Sequence, residues 1–257
     1  MKFFLIKLNW LLLQFGINLR TLISSFRGIP SYIIDFINFR KDYSGKINFY
    51  PCLSDRYAEA GDGRSEYFLQ DLLVAKLVYE KKPIKLMDIG SRLDGFLAHL
   101  ATFMNIDVFD IRPIKNDIPG IQFKIVDLMN PNESLYSENK YDSVSCLHTI
   151  EHFGLGRYAD PINPSGYIVG LRNIVKFLEP NGIFYLSTPI GKERVDFNAN
   201  RVFNPNTIIE ILNTEGLTLE KAIILTQNSN YLEVNQEDLI NYANENYNLG
   251  IFIFRKN

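Results

Sequence analysis

The sequence predicts an α/β fold, a mostly parallel sheet of seven strands with helices on both faces, preceded by an N-terminal helical extension. Two patterns carry this expectation. From Pro83 onward, short apolar runs bounded by turn residues alternate with stretches of helical spacing, as βαβ units require. Before Pro83 the apolar residues recur at the spacing of one helix face. The 257 residues suffice for one large domain plus an extension, or for two small domains. A content of 46% apolar and 22% charged residues excludes a disordered chain.

In chain order, Met1–Phe26 reads as a helix with Phe4, Leu8, Leu11, Leu12, Phe15 and Leu19 on one face and Lys7, Gln14, Asn18 and Thr21 opposite. Gly28–Pro30 is expected to break it, and Ser31 to cap a second short helix to Phe39. Lys41–Gly63 reads as loop and Glu66–Tyr79 as helix. Strands are expected at Ile84–Ile89, Asp107–Asp110, Phe123–Val126, Tyr141–Leu147, Ile183–Ser187, Leu217–Leu225 and Gly250–Phe254. Helices are expected at Phe96–Phe103, Tyr167–Leu178 and Asn206–Asn213. Gln227–Asn248, rich in Asn, Gln and acids, reads as an exposed excursion. No internal repeat is visible. The expected division is an extension and loop over 1–63 and a domain over 64–257.

The formal charge of −2 gives no nucleic-acid signal. Its distribution is uneven: Met1–Lys41 carries Lys2, Lys7, Arg20, Arg27, Arg40 and Lys41 against Asp35, a net +5. The uncharged run Leu8–Leu19 is broken by Asn9, Gln14 and Asn18 and is shorter than the ~20 apolar residues that span a bilayer. No small-residue cleavage site follows it, so a cleaved signal peptide is not expected. Two cysteines, Cys52 and Cys146, suit a reducing compartment. The expected location is the cytoplasm, free or peripheral to the inner face of the membrane. The extension is expected to dock on its own domain, a protein partner or an anionic membrane surface.

In a doubly wound sheet, ligands lie beyond the carboxyl ends of the strands. The first strand runs into Asp88-Ile89-Gly90-Ser91-Arg92-Leu93-Asp94-Gly95. A glycine at Gly90 allows a sharp turn and close approach of a ligand, although an ordinary strand-to-helix turn reads the same. The spacing to Gly95 is not the dinucleotide fingerprint. Asp110 ends the second strand, twenty residues beyond Gly90, where an acid can accept both ribose hydroxyls or cap a turn. Asp127 ends the third, where it can accept from an adenine amino group or, again, hold a turn.

The fourth strand exits into His148-Thr149-Ile150-Glu151-His152. The run matches the H-x-x-E-H zinc pattern, but His99 is the only other histidine and a catalytic zinc needs a third protein ligand and a supporting helix. No metal is expected. His152 is the candidate acid–base group, because imidazole titrates near neutrality, with a packed or capping histidine as the alternative; the base for an oxygen acceptor would be His152 or Glu151. The glycine- and proline-rich run Gly154–Gly166 adds Arg157, Tyr158 and Asp160 as candidate acceptor-binding residues. Asn198 and Arg201, after the fifth strand, join them. Two arginines there would suit a phosphate or carboxylate on the acceptor, or would merely tie the loops to carbonyls.

Leu178-Glu179-Pro180-Asn181-Gly182, followed by Ile183–Ser187 and Thr188-Pro189, resembles the "leucine–any–proline–any–glycine, strand, serine–threonine–proline" hallmark of class I S-adenosylmethionine (SAM) methyltransferases. His148–His152 is similar to the segment after their fourth strand. More narrowly, Asp88–Leu100, His148–Gly166 and Phe197–Phe203 resemble the "domain of unknown function 268" family of bacteria and nematodes. Its members are read as methyltransferase-like and are noted among surface-polysaccharide genes. The resemblance covers about Gly16 to the C-terminus, and Gly154–Asp160 is its most specific part. It implies the Rossmann-like class I methyltransferase fold and SAM as cofactor, with Gly90 lining its methionine portion, Asp110 at the ribose and Asp127 at the adenine, and Asp88 and His148 also counted among the cofactor-binding residues. Arg92 and Asp94 stand where the class has its second and third glycines. They would pair with the SAM carboxylate and ammonium, or Arg92 would fill the pocket.

The implied function is SAM-dependent methylation of a sugar, glycan intermediate or other small metabolite, in a setting such as surface-polysaccharide biosynthesis. A non-catalytic member serving a glycan-assembly complex is the alternative. A nicotinamide-dependent enzyme is a third reading, opposed by the missing fingerprint.

Overall fold

The computed structural model describes residues 2–61, 63, 65–138, 140–226, 228 and 230–257. The chain forms two compact units, residues 1–62 and 63–257.

The first unit holds α1 (Lys2–Gln14) and α2 (Leu19–Asp42), followed by extended chain and one 3-10 turn, Asp55–Tyr57. The helix break falls earlier than expected. Asn18 caps α2, its side chain accepting from the Arg20 and Thr21 amides at 3.0 and 3.2 Å. The helix then runs through both Gly28 and Pro30. Pro30 removes one backbone donor, and Gly28 is the residue that fits, because a Cβ there would stand 1.9 Å from the Leu53 carbonyl oxygen. The Gly28 side of α2 is thus covered by its own following chain. Tyr57 Oη donates to the Arg27 carbonyl at 3.2 Å, and Arg56 pairs with Asp35.

The second unit opens with α3 (Glu66–Lys81), then β1 (Leu86–Ile89), α4 (Phe96–Leu100), β2 (Ile106–Asp110), β3 (Ile121–Ile125), α5 (Ser134–Glu138) and β4 (Tyr141–Leu147). It continues with α6 (Gly166–Phe177), β5 (Leu178–Ile190), β6 (Arg194–Asp196), β7 (Asn200–Val202), α7 (Pro205–Thr214), β8 (Leu217–Leu225), β9 (Tyr231–Val234) and β10 (Asn248–Lys256). The main sheet has the order β3-β2-β1-β4-β5-β10-β8-β9. Strands β1 to β5 pair in parallel, and β10 is antiparallel to both neighbours. Among the described residues the sheet therefore has eight strands rather than the expected seven. The eighth, β9, adds antiparallel to β8 at the edge, inside the segment read from sequence as an excursion. β6 and β7 form a separate hairpin.

Alternation along the central strands sends side chains to two cores. Phe184 and Leu186 of β5 pack with Leu171, Ile174 and Phe177 of α6 and Ile208 and Leu212 of α7. Ile183 and Tyr185 of the same strand join Val74 and Val78 of α3 and Phe96, Leu97 and Leu100 of α4. Each fully buried side chain of this kind stabilises the fold by ~1.5–3 kcal/mol. A one-residue slip would move them to the wrong face, so the register is fixed. As a result β1, β2, β4 and β5 all deliver their carboxyl ends to one edge of the sheet.

Candidate active site at the carboxyl edge

At the end of β1, Asp88 is fully buried. Its carboxyl accepts from the Ser91 amide and hydroxyl at 3.1 and 2.9 Å and from Ser145 Oγ at 2.7 Å. Burial pushes it up to about 7, against those three hydrogen bonds. Asp88 therefore shapes the turn from behind instead of reaching a ligand, a correction to its expected role. Gly90 follows with φ +71°, and a Cβ on it would lie 2.4 Å from Thr149 Cγ2. This pins the β1 exit against the β4 exit.

Arg92 and Asp94 pair with each other, Nε to Oδ1 at 2.9 Å and an NH2 group to Oδ2 at 2.7 Å, and both side chains are exposed.

Asp110, at the β2 exit, is 9% exposed. Its carboxylate is held by Arg112, whose amide and Nε donate to Oδ1 at 2.8 and 3.0 Å. The same guanidinium donates to the Gly90 carbonyl at 3.2 Å and lies 4.6 Å from the centre of the Tyr158 ring. Arg112 went unrecognised in the sequence because nothing in its spacing marks it; only the sheet brings it against Gly90. Asp127 accepts from the Met129 amide at 2.9 Å, the turn role that the sequence left open.

The β4 exit gathers most of the charge. His148 has φ 51° and its side chain is 5% exposed. Nδ1 lies 2.6 Å from Glu151 Oε1 and Nε2 lies 3.5 Å from Glu66 Oε1 at the start of α3. Burial opposes a charge here, but Glu151 and Glu66 outweigh it and hold His148 up at about 9. His148 is therefore an imidazolium between two acids. The Tyr67 ring lies 4.6 Å from it, and Tyr247 Oη donates to both Glu66 oxygens at 2.9 and 3.0 Å. Glu66, Tyr67 and Tyr247 were not legible as site residues, since their elements lie far from His148 in sequence.

Glu151 is fully buried, and its Oε2 makes no hydrogen bond among the described residues. His152 is 8% exposed. Its Nδ1 lies 2.7 Å from the Ala199 carbonyl at the β6–β7 turn. A carbonyl only accepts, so Nδ1 carries the proton and Nε2, 3.7 Å from Glu151 Oε1, is the basic nitrogen. Burial lowers its pKa, with Arg157 adding to this against Glu151. His152 is thus a neutral base flanked by a carboxylate.

The loop after it is held from within. Asp160 accepts from the amides of Gly154, Gly156 and Tyr158 at 2.8, 3.2 and 3.1 Å, so it organises the loop. Arg201 is 4% exposed and donates to the carbonyls of Glu151, Phe153 and Pro164 at 3.2, 2.6 and 3.1 Å. It staples the hairpin to the loop, which removes it from the proposed pair of acceptor-binding arginines. Arg157 is exposed and donates to the Ala199 carbonyl at 2.7 Å, beside Tyr158. Asn198 is exposed at the hairpin turn.

The family model described as "Caenorhabditis protein of unknown function, DUF268" matches residues 112–244. No curated protein matches the chain. Among solved structures, an S-adenosylmethionine-dependent methyltransferase from Clostridium acetobutylicum is 11% identical over 79% of this chain and 98% of its own, with a TM-score of 0.51. The Burkholderia thailandensis 1,6-didemethyltoxoflavin-N1-methyltransferase, solved with S-adenosylhomocysteine, is 13% identical over 82% of this chain and 93% of its own, at 0.50. The [4+2]-cyclase SpnF is 15% identical over 77% and 84%, at 0.51. At these identities the likeness shows the fold, a Rossmann-like methyltransferase fold. The cyclase illustrates that fold alone does not fix chemistry.

Proposed function

The chain belongs to the family described as a Caenorhabditis protein of unknown function, DUF268, and from that premise we propose that it is a SAM-dependent methyltransferase of a sugar, glycan intermediate or similar small hydroxylated metabolite. The carrying observation is the neutral His152 with its Nδ1 proton fixed on the Ala199 carbonyl and Nε2 beside Glu151, at the edge where Gly90 and Asp110 also end their strands. The glycan setting rests on the resemblance drawn from the sequence.

The residues fit a SAM site in part. The Gly90 turn brings backbone close to the edge, as a methionine moiety needs. Asp110 stands where ribose hydroxyls are held in this fold, with Arg112 on its carboxylate. SAM, when bound, supplies an electrophilic methyl group. The chain's own part is positioning, which accounts for most of the rate in a transfer of this type, and proton removal. His152 Nε2 takes the acceptor hydroxyl proton, and Glu151 stabilises the imidazolium so formed. Tyr158 and Arg157 line the acceptor side.

Titration calorimetry with SAM, S-adenosylhomocysteine and NAD tests the reading. SAM and its product should bind and NAD should not. Asp110→Ala should weaken SAM by ~1–3 kcal/mol. A folded wild-type protein that gives no heat with SAM and transfers no labelled methyl to sugar acceptors would overturn it. One observation favours a second reading, a non-catalytic member of a glycan-assembly complex: the Asp110 carboxylate is already engaged by Arg112. Absence of SAM binding in both wild type and Arg112→Ala would support that alternative.

A further inference from the structure

Helix α2 hides a side made mostly of small and polar residues. Ser24, Ser25, Gly28, Ser31, Tyr32 and Phe36 lie on its less exposed side, where Phe49, Leu53, Tyr57 and Arg56 of the same unit cover it. The opposite side carries Leu22, Ile23, Phe26, Ile29, Ile33 and Ile37, which are 38% to 65% exposed. At 3.6 residues per turn these positions form one unbroken stripe, about 24 Å long from Leu22 to Ile37. Helix α1 adds Trp10, Leu11 and Leu13, all exposed.

Cations outnumber acids around this stripe, four to two along α2. Arg20 stands at its start and Arg40 and Lys41 at its end, all exposed, with Arg27 between them. Asp35, the only acid inside the helix before its last residue, is exposed and paired with Arg56. No helix among the described residues is long and apolar enough to cross a membrane.

We propose that residues 8–41 form an interfacial anchor whose α2 stripe lies in the headgroup region of an anionic bilayer. An in-plane helix with a large apolar face and flanking cations binds there through both buried apolar area and attraction to acidic lipid. A second copy is a poorer occupant. Antiparallel docking along the stripe would set Arg20 of one copy beside Arg40 and Lys41 of the other, and like charges repel. Helix α1, apolar on several sides at once, suits an interface better than a single protein groove.

The test is co-sedimentation of the full chain with extruded vesicles of phosphatidylcholine alone or mixed with phosphatidylserine. Binding is expected to the mixed vesicles, falling with added salt as surface attraction is screened. Ile33→Glu with Ile37→Glu should weaken partitioning roughly tenfold or more. Arg20→Gln and Lys41→Gln should each weaken it about fivefold. All four side chains are exposed, so the melting curve should not move. No sedimentation with acidic vesicles overturns the proposal. So does a dimer in analytical ultracentrifugation that Ile33→Glu with Ile37→Glu dissolves while vesicle binding is absent. Resistance of membrane-bound protein to alkaline carbonate would also overturn it, because that marks a span.

Discussion

Glu151→Gln isolates the charge that holds His148 protonated. The substitution keeps the size of the side chain and an oxygen for the His148 Nδ1 proton, now 2.6 Å away, but removes the carboxylate. In the folded protein His148 rises from 6.5 to about 9. At about 1.36 kcal/mol per pH unit, this is on the order of 3 kcal/mol. The folded value lies above the unfolded one, so the stabilisation is complete below about pH 6.5 and disappears as pH rises through about 9. Glu151 is the larger attractive partner and Glu66 the smaller. Glu151→Gln should therefore remove most of that fall, because burial then opposes the charge with only Glu66 set against it. The assay is urea unfolding followed by circular dichroism at pH 6, 7, 8 and 9 on both proteins, together with proton NMR of the histidine Cε1 resonances. Equal pH slopes in the two proteins, or a His148 resonance titrating near 6.5 in the wild type, would refute the ion-pair account.

Gly90→Ala puts a methyl against Thr149 Cγ2 and a side chain at φ +71°; it should cost ~1–3 kcal/mol in thermal melts, part of which Thr149→Ser restores by deleting Cγ2. Arg112→Ala frees the Asp110 carboxylate, so SAM should bind more tightly than to wild type, whereas Asp110→Ala with Arg112→Ala should bind weakly; equal affinity in the single variant and wild type would show that Arg112 does not compete. Arg201→Lys cannot serve the carbonyls of Glu151, Phe153 and Pro164 together, and should lower stability by ~1–3 kcal/mol, read by urea midpoint. Because burial lowers the His152 pKa, the acid limb of a methyl-transfer pH profile should fall below 6.5, and a limb above that value would exclude His152 as the base.

Much of the sheet is legible because its strands bury both faces. Tyr141–Leu147 and Leu217–Leu225 have the bounds read from their apolar runs. β9 escaped because Tyr231–Val234 has no buried residue, so no apolar pattern separates it from loop. α2 was read as broken because Gly and Pro oppose helix locally, while the close Leu53 backbone that makes Gly28 suitable is a tertiary fact. In the site, a residue's position after a strand was readable and its partner was not. His152 and Glu151 lie side by side as their spacing suggests. Yet Asp88, Asp94, Asp127 and Asp160 are each engaged by neighbours within a few residues, which a list of acids cannot reveal. Glu66 and Arg112 entered only through the topology.

Arg112 touches the Asp110 carboxylate, the Gly90 carbonyl and the face of Tyr158 at once. One cation thus belongs both to the β2 exit and to the loop after β4. A ribose that takes the Asp110 carboxylate has to move that cation, and the Tyr158 ring then loses one of its two guanidinium neighbours. Linkage makes such a coupling reciprocal. An acceptor that draws Arg112 toward Tyr158 would ease nucleoside entry, and a bound nucleoside would alter the loop's affinity for its acceptor. The two ligands would then bind with an energetic order built into a single side chain, with no movement of the sheet.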